Sequence, residues 1–151
     1  MSLNEEPEIV TWPETHYVFV ERVGPFEKNA PEAWGTLHSI LGGISKSNTV
    51  TGYMSLYKRG PQIYRAGVSL SGGPEELPEG VEYAVFEGGK YSRFVLTGPY
   101  SQLAEASGRV FDVVSERGIA MRDDFCIENY VKDPRVTPVD ELVTEILIPT
   151  I

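Results

Sequence analysis

One cysteine, two histidines and a shortage of basic residues bound this chain before any motif is read. Cys126 alone excludes a disulfide framework and a cysteine-built metal site. His16 and His38 are the only imidazoles, and a structural zinc wants four spaced ligands, so no metal site is expected. Thirteen Lys and Arg against 22 Asp and Glu give a net charge of −9, with no basic cluster to neutralise phosphates. Direct nucleic-acid binding is therefore not expected. No apolar run reaches the roughly 18 residues that a membrane span needs, and no basic, apolar leader opens the chain. The expectation is a cytoplasmic protein without membrane contact. There is no Gly-x-Ser-x-Gly elbow, no phosphate-cradling loop and no nucleophilic triad, and no cofactor is expected.

What is present is a repetition. Val23-Gly24-Pro25-Phe26 recurs as Thr97-Gly98-Pro99-Tyr100, and 98 − 24 = 74. At that offset Tyr17 meets Tyr91, Trp34 meets Gly108, Met54 meets Glu128 and Lys58 meets Lys132. Thr15 to Val23 reads as a strand, and Asn29 followed by Glu32 as the capped start of a helix. Ala33, Leu37, Ile40 and Leu41 give that helix an apolar stripe that ends at Gly42-Gly43. Strands follow over 51–58 and 64–71. Past a linker rich in turn formers at 72–80, the order repeats: a short strand over 81–86, then 91–97, a helix opened by Ser101 and ended at Gly118, 125–131 and 142–148.

The expected fold is α+β: tandem duplicated βαββ units, a pseudo-twofold antiparallel sheet with two helices and a central ligand groove. Repeat 1 runs over about 9–71 and repeat 2 over about 81–151, in one domain.

Alternation puts Cys126, Glu128 and Tyr130 on one strand face. With Met54 and Leu56 as their counterparts, that face is expected to be interior, where a carboxylate is costly unless paired, protonated or serving a ligand. Two readings follow for Glu128: a structural one, in which it pairs with an arginine such as Arg65 or Arg93 or sits at an exposed edge, and a functional one, in which it serves a ligand. Glu145, between Val143 and Leu147, poses the same question. Trp34, Tyr53, Tyr91 and Tyr130 are candidate walls for a flat cation, and Met54 a packing residue beside them.

Several motifs together resemble the GyrI-like effector-binding family. They are Gly89-Lys90-Tyr91 through Gly98-Pro99-Tyr100, Ile127-Glu128-Asn129-Tyr130 with Asp133-Pro134, Leu142 to Pro149, and Gly52-Tyr53 with Tyr64 to Val68. The resemblance implies a groove whose hallmark acid falls on Glu128, serving as counter-ion to lipophilic cations between aromatic side chains. It implies a small-molecule partner in sensing or detoxification. It also implies two alternatives: a hydrolase of cyclopropane-type electrophiles using Glu128, or a gyrase-type inhibitor acting on a protein partner.

Overall fold

The computed structural model describes residues 1–151. Its nine strands are β1 (Ser2–Leu3), β2 (Glu8–Trp12), β3 (Thr15–Val23), β4 (Val50–Lys58), β5 (Ile63–Leu70), β6 (Glu82–Phe86), β7 (Gly89–Thr97), β8 (Cys126–Tyr130) and β9 (Val143–Pro149). Two helices, α1 (Phe26–Ser45) and α2 (Leu103–Glu116), complete the α+β architecture. All the strand pairings described below are antiparallel. Strand–helix–strand–strand therefore occurs twice, as β3-α1-β4-β5 and β7-α2-β8-β9.

The chain divides into two compact units, Pro13–Gly88 and Met1–Trp12 with Gly89–Ile151. In the first, the strands lie in the order β4-β5-β3-β6. In the second they lie β8-β9-β7, with β1 and β2 both along the outer edge of β7. Each unit is thus completed by the strand that precedes the other repeat: β6, which leads into β7, pairs with β3, and β2, which leads into β3, pairs with β7. The segment 72–80 lies wholly within the first unit.

Both Gly-Pro-aromatic turns do the same work. Gly24 has φ +135 and Gly98 φ +143, and their N–H groups donate to Gln62 O and Leu142 O at 2.9 and 2.8 Å. A Cβ at Gly24 would meet Asn29 Nδ2 at 2.7 Å, and one at Gly98 would meet Gln102 Oε1 at 2.8 Å. Only glycine fits this strand exit.

The helix starts differ from the expectation. Asn29 is not the N-cap: α1 begins at Phe26 behind Pro25, and the Asn29 amide donates to Pro25 O at 2.9 Å from inside the first turn. Pro25 has no side-chain acceptor to offer, and its carbonyl accepts from the N–H groups of Lys28 and Asn29 at 3.2 and 2.9 Å. Ser101 likewise falls within a 3-10 turn, Tyr100–Gln102, ahead of α2. Helix α1 also continues past Gly42-Gly43 to Ser45, where Ile44 is buried.

The core of the first unit is Tyr17 to Val20, Ala33, Leu37, Leu56, Ala66 and Val68. That of the second is Phe94, Leu96, Ala106, Val110, Ile127 and Ile146 to Ile148. No helix is long and apolar enough to cross a membrane.

Candidate functional site

Strand register decides which residues of the repeats correspond. Gly24 and Gly98 bond to Gln62 and Leu142, so β5 and β9 are related by 142 − 62 = 80. Ser55 pairs with Ala66 and Tyr57 with Tyr64, while Glu128 pairs with Ile146 and Tyr130 with Thr144. Glu128 therefore stands where the first unit has Ser55, and Tyr130 where it has Tyr57. The offset has become 73, and two further observations agree. Phe26 packs edge-on to Tyr57 at 5.8 Å, and Tyr100 edge-on to Tyr130 at 5.5 Å. In the helices, buried Ala33 and Leu37 match buried Ala106 and Val110. Met54, the counterpart expected for Glu128, lies one residue off and on the opposite sheet face, wholly packed, its carbonyl accepting from Tyr17 Oη at 2.9 Å.

In the first unit this face is closed by its own side chains. The Trp34 indole N–H on α1 donates to Tyr64 Oη at 2.8 Å and reaches Ser55 Oγ at 3.3 Å. Ser55 and Tyr64 share a hydrogen bond of 2.7 Å, and Phe26 lies against Tyr64 at 5.6 Å. Arg22 bonds to Glu32 and Thr36 of α1 from the same face.

In the second unit the equivalent positions change in size and charge. Ser55 becomes Glu128, Tyr64 becomes Thr144, and at offset 73 Trp34 becomes Ser107. Glu128 is half-buried, and its Oε1 accepts from Tyr130 Oη at 2.9 Å. The Tyr130 bond favours the carboxylate, but burial outweighs it and pushes the Glu128 pKa up to about 7. Thr144 is wholly buried, and its Oγ1 has no hydrogen-bond partner. The Tyr100 phenol is raised by burial and by the nearby Asp133. A carboxyl balanced near neutral pH, a phenol donor and an unsatisfied hydroxyl thus share one face, bordered by aromatic rings.

The two arginines that could have neutralised Glu128 are engaged elsewhere. Arg65 pairs with Glu21 at 2.8 Å, and Arg93 with Glu145 and Glu8 at 3.1 and 2.7 Å. That leaves the ion-pair reading of Glu128 without its partners.

Tyr130 alone of the expected site residues is brought to Glu128 within this unit, where it is joined by Tyr100 and Thr144. Glu145 lies on the other sheet face, held by Arg93 and by the Asn129 amide at 2.8 Å. Tyr91 is also on that other face, its hydroxyl donating to Phe125 O at 2.8 Å and its ring under Arg122. Trp34, Tyr53 and Met54 belong to the first unit. The sequence signal for Tyr100 was its place in the Gly-Pro-aromatic turn, whereas nothing in one strand's pattern marks Thr144. No three His, Cys, Asp or Glu side chains converge at a point that would hold a metal.

The family model of the GyrI-like small molecule binding domain matches residues 5–150. The chain belongs to the GyrI-like family. Among solved structures, it is similar to the EcmrR C-terminal domain, at 16% identity and TM-score 0.78, covering 100% of this chain and 99% of that one. It is similar to SAV2435 bound to tetraphenylphosphonium, at 11% identity and TM-score 0.72, covering 97% and 94%. A hydrolase from Listeria innocua shares 16% identity at TM-score 0.61, covering 98% and 93%. No curated protein matches by sequence. At these identities the solved structures establish the GyrI-like fold, and the family model establishes a small-molecule binding domain.

Proposed function

We propose that this GyrI-like domain binds flat, lipophilic cations, with the Glu128 carboxylate as counter-ion, in sensing or sequestration. The observation that carries the reading is a carboxyl held by a single phenol bond, without an arginine or lysine partner, and raised to about 7. Such a group gains most from a cation that brings its own apolar surface, because Coulomb attraction strengthens as water is excluded. Tyr130 and Tyr100 supply ring surface beside it. The tetraphenylphosphonium bound by the SAV2435 neighbour, a lipophilic cation though tetrahedral and not flat, supports the cationic and apolar character of the ligand.

Calorimetric titration with a rhodamine dye tests the reading. Wild type binds, and Glu128→Gln, which keeps the shape and removes the charge, does not. Equal affinity in the two proteins would sink the counter-ion role. The cation competes with the proton for Glu128, so affinity falls about tenfold per pH unit below about 7 and levels off above it.

A second reading rests on the same side chain. A carboxylate with a pKa of about 7 beside a phenol is poised as a general base at neutral pH. Glu128 would take a proton from water as the water oxygen bonds to an electrophilic ring carbon. The strained ring bond would break toward the carbon that then takes up a proton. Turnover of a cyclopropane-bearing electrophile, lost in Glu128→Gln, would favour this reading over binding alone.

A further inference from the structure

In the first unit the Trp34 side chain fills a position at which the second unit has the small side chain of Ser107. Trp34 presents a flat aromatic ring whose N–H is donated to Tyr64 Oη, with Ser55 Oγ beside it. Every acceptor in that arrangement has a register-matched counterpart in the second unit: Thr144 for Tyr64 and Glu128 for Ser55. The occupant does not, because Ser107 stands in α2 where α1 carries Trp34. Both positions thus keep a side-chain oxygen, that of Thr144 lying closer to the sheet than the phenol it replaces, while the aromatic donor is gone. Thr144 Oγ1 accordingly lies wholly buried without a hydrogen-bond partner, a costly state unless something else supplies one. At the Ser55 position the acceptor has gained a formal charge, which suits a donor that is itself cationic.

Resting on the cation-binding reading, we infer that this site selects flat aromatic cations that carry an N–H donor, with Thr144 Oγ1 and the Glu128 carboxylate as acceptors. Protonated nitrogen heteroaromatics and aryl amines meet this requirement, and quaternary cations of the same shape do not. The ligand takes the part of Trp34, with its ring beside Ser107 and its N–H turned to the sheet. Thr144 then acts as a specificity residue: it adds nothing for a donorless cation and rewards one with an N–H. The small side chain of Ser107 leaves the ring its place.

The test compares 9-aminoacridine, a flat cation with N–H groups, against 10-methylacridinium, which has the same ring system and charge without a donor. Wild type binds the aminoacridine at least about tenfold more tightly, the worth of one well-made hydrogen bond to a charged group. Thr144→Val, a near-isosteric change at a buried hydroxyl without a partner, cuts that preference to less than about threefold. It leaves 10-methylacridinium affinity unchanged. Ser107→Trp, which restores the occupant, excludes both dyes, and Ser107→Ala excludes neither. Should the tryptophan variant fail to fold, Thr144→Val carries the test alone.

Equal affinities for the two dyes in wild type, or a preference that survives Thr144→Val, overturn the inference. If both dyes bind equally and both are lost in Glu128→Gln, donor selection fails and the counter-ion reading stands. Dye binding unaffected by Glu128→Gln, or no binding of either dye, overturns both.

Discussion

Glu128 carries the sharpest consequence at the scale of single residues. Its pKa is raised from 4.5 to about 7, so the folded chain keeps a proton that the unfolded chain has released. Between these two values the unfolded state binds fewer protons, and stability falls as pH rises, then levels off above about 7. Glu128→Gln removes that penalty while keeping an acceptor for Tyr130. Urea unfolding should find the variant more stable than wild type at pH 8, by up to about 3 kcal/mol, and indistinguishable at pH 4. Two glycines give a contrasting pair. The Tyr17 ring lies across Gly67, and an added Cβ would fall 2.6 Å from Tyr17 Oη, whose bonds to Met54 O and Arg65 O fix it in place. Gly67→Ala should cost about 1–3 kcal/mol by overpacking. An added Cβ at Gly108 in α2 meets nothing within 4 Å, so Gly108→Ala should gain about 0.5–1 kcal/mol from helix propensity. Unfolding midpoints of the two variants check both signs.

Among the elements, the N-terminal strands show how backbone pairing and surface charge divide the work. β1 and β2 cover the outer edge of β7, with Asn4 N–H donating to Val95 O between them. The residues around that bend also form ion pairs, Glu5 with Arg109, Glu6 with Arg117 and Glu8 with Arg93. Glu5 and Glu6 are held below the usual carboxylate range by their arginines, but both pairs are open to water, where screening takes most of the energy. Changing Glu5 or Glu6 to Gln should leave the unfolding midpoint nearly unchanged. Deleting residues 1–12 exposes the edge of β7 instead, so hydrogen exchange should rise there while β3 and β5, both in Pro13–Gly88, keep their protection. Exchange that is unaltered in β7 would show the two strands to be decoration. The strand and helix order was legible because Gly-Pro-aromatic turns and apolar spacing act locally. The helix starts differ from the spacing at Asn29 and Ser101, where Pro25 and Pro99 stand at the N-cap without a side-chain hydrogen bond. β1 and β2 lie outside the expected strands because strands of two and five residues gain their identity from the edge they pair with.

For the whole molecule, the reciprocal pairing of β6 with β3 and of β2 with β7 means that the repeats in sequence are not the compact units in space. A protease cut within 72–80 leaves β2 and β7 on different fragments, and β3 and β6 likewise. Five registered residue pairs in each of these pairings then span the cut, with two more between β1 and β7. The nicked protein should elute from a sizing column as one species and separate only in denaturant. Fragments that part under native conditions would contradict this exchange of strands.

The sequence by itself determined the α+β class, the duplicated strand–helix–strand–strand order and the acid at Glu128, because periodicity, turn glycines and a misplaced charge are all local signals. Tertiary structure alone decided the correspondence between the repeats. A constant offset of 74 set Glu128 against Met54, but the first copy carries one more residue between Phe26 and Asn29 than the second has between Tyr100 and Gln102, and a slip of one flips a strand residue to the other face. Only the hydrogen-bonded register, running from Gly24 and Gly98 through β5 and β9, shows that Glu128 replaces Ser55. The same register sends Glu145 and Tyr91 to the opposite face and brings Tyr100 and Thr144 to Glu128. Which side chains share a site depends on pairings between strands distant in the chain, and no window along the sequence contains them.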